Sequence, residues 1–98
     1  MSIGSIDTPF DQCEVDSKDV DSTGGTCAAI FTDLVHTKGR GVMLQNRGAV
    51  DLLFGQDTTN AVWHVLPGSI LTLYPKDLAK LFIKSSGADV TIDAILVL

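Results

Sequence analysis

An all-β fold, a small antiparallel β-sandwich or barrel of seven or eight strands, is the class this sequence predicts. Three observations predict it. Apolar runs rich in Leu and β-branched residues recur at short, regular spacing, each after a turn signal. The last run alternates, with Val90, Ile92, Ala94, Leu96 and Leu98 on one face and Asp89, Thr91, Asp93, Ile95 and Val97 on the other. No stretch sustains a helical repeat.

Residues 1–25 are rich in Ser, Asp, Thr and Gly, with scattered apolar residues at no helical spacing. They read as an irregular acidic arm with one short strand near residues 12–15, preceding a sandwich domain over 26–98. Ile3, Ile6 and Phe10 are its candidate anchors on a partner. Residues 27–37 form the first expected strand, with Phe31 and Val35 on one face and Ala28, Ile30, Thr32 and Leu34 on the other. After Lys38-Gly-Arg-Gly41, a strand over 42–46 pairs in hairpin fashion with one over 50–54. Asn46-Arg47-Gly48 makes the corner, Gly48 supplying a positive φ. Arg47 at this tip is a candidate contact for an acidic partner.

A polar loop over 55–60 leads to a strand over 61–65, with Trp63 packed at the core edge. Leu66-Pro67-Gly68 introduces the run to Tyr74, and Pro75-Lys76-Asp77 opens a single helical turn leading into the strand over 81–85. Residues 85–88 turn the chain into the final strand, and these last three runs read as consecutive antiparallel neighbours. Ile95, Val97 and Leu98 end the chain in a stretch apolar on both faces, which points to cover by a neighbouring element or a second subunit.

Composition narrows the function. Ninety-eight residues make one domain, and 45% hydrophobic content is too apolar for a disordered chain. A domain this size buries only about 60–65% of its unfolded surface, so oligomerisation is the expected source of added stability. Residues 1–33 hold seven acids against one base, and 34–98 hold five against six, so nucleic acid is not an expected partner. No apolar run reaches the roughly 18 residues that span a bilayer, and no secretory leader pattern opens the chain. Cys13 and Cys27 are a solitary pair expected to remain free thiols.

Catalytic and metal signals are weak. Asp19, Asp21 and Thr23 before Gly24 begin like a calcium loop, but its twelfth position falls on Ile30 and flanking helices are missing. His36 and His64 sit in no metal-ligand spacing, and no nucleophile elbow or phosphate-cradling glycine loop is present. Neither a cofactor nor a metal is expected, and the chain does not read as an enzyme.

Val42-Met-Leu-Gln-Asn46-Arg47-Gly48, Leu66-Pro67-Gly68-Ser69 and the run over 77–85 before a hydrophobic strand carry a resemblance. Together they resemble small virion proteins of tailed bacteriophages, over about three-quarters of the chain (27–98). The acidic arm lies outside the shared pattern. That resemblance implies a jelly-roll-like sandwich that decorates or cements a phage head, binding the major capsid protein or another virion protein. It implies a virion location after assembly in the host cytoplasm. A homotrimer is the expected form, since small β domains manage open edges by associating. A tail or baseplate accessory module is the first alternative. A carbohydrate-binding sandwich using Trp63 and Tyr74 as stacking platforms is the second, and the apolar run around Trp63 argues against it.

Overall fold

Successive strands of this chain alternate between two four-stranded sheets, so sequence neighbours seldom pair with each other. The computed structural model describes residues 13–36, 38–74 and 77–98. Its elements are β1 (Cys13–Val20), β2 (Gly25–Thr26), α1 (Cys27–Ile30), β3 (Gly41–Asn46), β4 (Leu52–Gly55), β5 (Ala61–Val65), β6 (Ile70–Leu73), a 3-10 turn (Leu78–Lys80), β7 (Phe82–Ser85) and β8 (Val90–Val97). One sheet runs β1-β8-β3-β6 and the other β2-β7-β4-β5, with every pairing antiparallel. First with last, third with sixth, second with seventh and fourth with fifth is the pairing of an eight-stranded jelly roll. The fold is a small all-β sandwich, as expected.

β8 shows how the sequence writes a central strand. Val90, Ile92, Ala94 and Leu96 are buried, while the residues between them are half-buried on the outer face. Leu44 and Val42 of β3 join them, and Leu52, Ile83 and Val65 of the second sheet face them to form the core. Leu66-Pro67-Gly68-Ser69 is a type II turn, with Gly68 at φ +81° and the Ser69 amide donating to the Leu66 carbonyl at 3.0 Å. The expected helical turn after residue 77 is the 3-10 turn, capped by the Asp77 carboxylate on the Ala79 amide at 2.9 Å.

Four expectations are corrected. The arm does not extend to residue 25. Cys13–Val20 is a strand paired along its whole length with β8, from Cys13 opposite Val97 to Val20 opposite Val90. The sandwich therefore includes this segment, while Ile3, Ile6 and Phe10 lie outside the described residues. The strand expected over 27–37 is instead α1 followed by an irregular segment. Thr26 caps the helix by accepting from the Ala29 amide at 3.2 Å. Cys27, Phe31 and Leu34 are buried, a spacing of four and three that suits a turn of helix, and Val35 is 75% exposed.

The hairpin between the third and fourth strands does not form. β3 and β4 belong to opposite sheets, and Gly48 has no positive φ; a side chain there would collide with Val90. Asn46 holds this crossing. It is fully buried, and its Nδ2 donates to the carbonyls of Val50 and Val65, both at 2.9 Å, while Oδ1 accepts from the Gly48 amide at 2.9 Å. Last, the runs after residue 66 are not neighbours, because β6 and β8 lie in one sheet and β7 in the other.

Charged side chains face inward on β1. Glu14, Asp16 and Lys18 stand opposite Leu96, Ala94 and Ile92, all core residues. The irregular segment after α1 makes this tolerable. Asp16 accepts from the Asp33 amide at 3.0 Å and from Lys18 Nζ at 2.7 Å, and Glu14 accepts from the His36 amide at 3.0 Å. Inward charges and a covering segment together blunt this edge of the sheet.

Burial pushes the Asp16 carboxyl up, but the hydrogen bonds from Lys18, Asp33 and Ser17 outweigh it and hold it below its ordinary value of 3.8. A depressed folded value gives stability that is complete above the unfolded value and lost as pH falls through the folded one. Asp16→Asn is expected to cost about 1–3 kcal/mol at neutral pH, by loss of the charge-assisted bonds. It should also flatten the acid limb of the stability curve below about pH 4. Urea midpoints measured from pH 7 downward check both; parallel curves for the two proteins would refute the assignment.

Candidate functional site

The outer face of the β1-β8-β3-β6 sheet is graded along its strands. Register rows fix which side chains meet there. At one end Val15, Ile95, Met43 and Thr72 form a continuous row across the four strands. Beside it lies the row Cys13, Val97 and Gly41, and the Tyr74 ring stands where a side chain at Gly41 would touch it. Val15 is 57% exposed and Tyr74 78%, while Ile95 and Val97 are half-buried by these neighbours.

The other end is polar. Ser17 Oγ donates to Asp93 at 2.6 Å, Thr91 Oγ1 donates to Asp19 at 2.8 Å, and Arg47 pairs with Asp93 at 3.2 Å. Arg47, expected to reach a partner, is thus engaged within its own sheet, and it remains half exposed. Of the expected self-association residues, Ile95 and Val97 lie on the apolar end of this face. Leu98 is placed differently, packing against the core.

A second apolar surface lies on one side of the sandwich, where β5 and β6 are the outermost strands of their sheets. Val62, Trp63, Leu66 and Ile70 are all more than half exposed there. Trp63 does not pack at the core edge as the apolar run around it suggests. It is 68% exposed, because among the described residues β5 has a neighbour on one side only and the ring stands at that margin. That removes the burial argument against a stacking role for Trp63, although Trp63 lies in β5 and Tyr74 just after β6, a strand of the other sheet.

Val15, Met43, Val62 and Ile70 were not legible as site residues. Their only signal is apolar side chains at positions that alternate with core residues, and such positions acquire meaning once strand order is known.

The titratable groups are occupied locally. His36 Nδ1 meets Glu14 at 3.0 Å and His64 Nδ1 meets Asp51 at 2.8 Å, both rings more than half exposed. Burial raises Glu14, but the hydrogen bonds from His36 and the ring's charge outweigh this and hold it below the ordinary value. Asp21, the centre of the calcium-like stretch, caps its own turn by accepting from the Gly24 amide at 2.8 Å, and Gly24 takes φ +69°. Among the described residues no three His, Cys, Asp or Glu side chains converge on a metal-sized site. Cys27 is buried and its thiol is pushed up to about 12 by desolvation, which leaves it unreactive. Among the described residues no helix is long and apolar enough to cross a membrane. Comparison with protein-family models, curated proteins and solved structures gives no match.

Proposed function

We propose that this chain is a non-catalytic structural protein of a phage virion, a decoration or cement module that binds an assembled head as a homotrimer. The observation supporting this reading is the apolar row of Val15, Ile95 and Met43 across three strands of a sheet face that, among the described residues, no other element covers. A sheet face of this kind gains by meeting a flat protein surface. Stabilisation then follows from mass action, since a ligand bound only to the mature shell shifts its equilibrium away from disassembly.

Labelling intact virions with an antibody to the chain separates a head position from a tail or baseplate one. Co-sedimentation with undecorated heads tests the surface. Val15→Lys, at an exposed position, is expected to leave the fold intact and weaken binding by on the order of tenfold or more. Deleting residues 1–12 tests the anchors Ile3, Ile6 and Phe10 in the same assay. Undiminished binding by Val15→Lys would refute the assigned face.

A carbohydrate-binding module is the second reading, supported by the exposure of Trp63 and Tyr74. Quenching of the Trp63 emission by an oligosaccharide, abolished in Trp63→Ala, would favour it over the first.

A further inference from the structure

We propose that the side of the sandwich formed by β5 and β6 is the contact between copies of this chain, occupied by a second copy. This deepens the oligomeric part of the function proposed above and names its surface.

The two sides of the sandwich are built differently. On the β1 side, inward Glu14, Asp16 and Lys18 and the segment that binds them guard the sheet edge. On the other side, among the described residues, β5 pairs only with β4, and β6 only with β3. No described strand takes their outer backbone groups, and neither strand holds a proline or an Asp, Glu, Lys or Arg that would repel a further strand. Four of the eight exposed large apolar side chains among the described residues lie here, namely Val62, Trp63, Leu66 and Ile70.

Charge selects a second copy as the occupant. The chain carries a formal charge of −5, so two copies repel over most of their surface. Residues 60–74, which include both edge strands, contain no Asp, Glu, Lys or Arg, and the acid beside β5, Asp51, is held against His64 at 2.8 Å. The acids of β1 and of its covering segment lie on the opposite side. This edge is therefore where like-charged copies meet at least cost. The area points the same way. If a large side chain offers roughly 150–250 Å², these four expose on the order of 500 Å² per copy, a large part of the about 800 Å² per partner of a stable interface.

Trp63 is the chain's single tryptophan and reports on the contact directly. Light scattering on the full chain is expected to show an oligomer that dissociates on dilution, with Trp63 emission shifting to longer wavelength as the ring is released to water. Val62→Lys and Leu66→Lys, both at exposed positions, should keep the wild-type circular dichroism and weaken self-association by at least about 30-fold. Val15→Lys, on the outer sheet face, should leave the mass unchanged.

A monomer at every concentration would overturn the inference, as would dispersal by Val15→Lys but not by the two edge variants. A monomer that still sediments with undecorated heads would overturn this contact and leave the decoration function standing. An edge-dependent oligomer that ignores heads would uphold the contact and remove the function.

Discussion

Asn46→Leu is expected to lower the melting temperature by roughly 15–30 °C, the largest single-residue effect among the polar positions of the chain. The side chain is fully buried, and all its hydrogen-bonding capacity used here is directed at backbone. It joins the end of β3 in one sheet to Val50, just before β4, and Val65, at the end of β5, in the other. Its own backbone ties in the turn before β6, donating to the Ser69 carbonyl at 3.0 Å and accepting from the Gly68 amide at 2.7 Å. Leucine is close in size but leaves two carbonyls and the Gly48 amide without partners. At about 1–3 kcal/mol for each stranded group, with partial relaxation, a loss of about 3–5 kcal/mol is expected. That is a large share of the 5–15 kcal/mol that typically holds a domain together.

Asn46→Asp sharpens the test. A carboxylate cannot donate to the two carbonyls, so the variant should be less stable than Asn46→Leu at neutral pH. Burial beside carbonyl oxygens raises the folded pKa of the introduced acid, so its protonated form favours the folded state. Stability should therefore recover as pH falls through that raised value. Thermal melts of the three proteins at two pH values check this. A fall of only a few degrees for Asn46→Leu would show that the crossing between the sheets is held by packing alone.

Phe31→Ala is expected to cost about 3–5 kcal/mol, the usual range for emptying a fully buried aromatic site. Phe31 has no exposed surface, although it lies in the irregular segment after α1 rather than in a strand. With Cys27, Leu34, Leu78 and Leu81 it joins the core that the two sheets enclose. Val35→Ala gives the contrast, because Val35 is 75% exposed and its truncation should stay within about 0.5 kcal/mol. A strand over these residues would place Phe31 and Val35 on one face and make the two losses alike. Urea denaturation of both variants separates the alternatives, and equal losses would refute the described packing.

The self-contained pieces of the fold were legible because their signals are local. The alternation over Val90–Val97 fixed the inner face of β8. Leu66-Pro67-Gly68 announced a turn, and Pro75-Lys76-Asp77 a single helical turn. Strand partners were not legible. Alternation tells which side chains share a face, but not which strand supplies the next hydrogen bonds, and loop closure over longer separations costs only slowly more.

The sequence by itself determined an all-β sandwich, its core-facing residues on β8 and the turns before β6 and β7, because side-chain period and turn chemistry act over a few residues. Only the tertiary structure decided what the acidic front of the chain and the apolar run around Trp63 become. Glu14, Asp16 and Lys18 read as solvated arm residues until amides about twenty positions away, those of Asp33 and His36, satisfy the two carboxylates at the inner face. Trp63 reads as core-edge packing until strand order leaves β5 at a margin with no described strand beyond it. In both places the outcome depends on which distant segment arrives alongside, and that is a property of the assembled topology rather than of any local stretch.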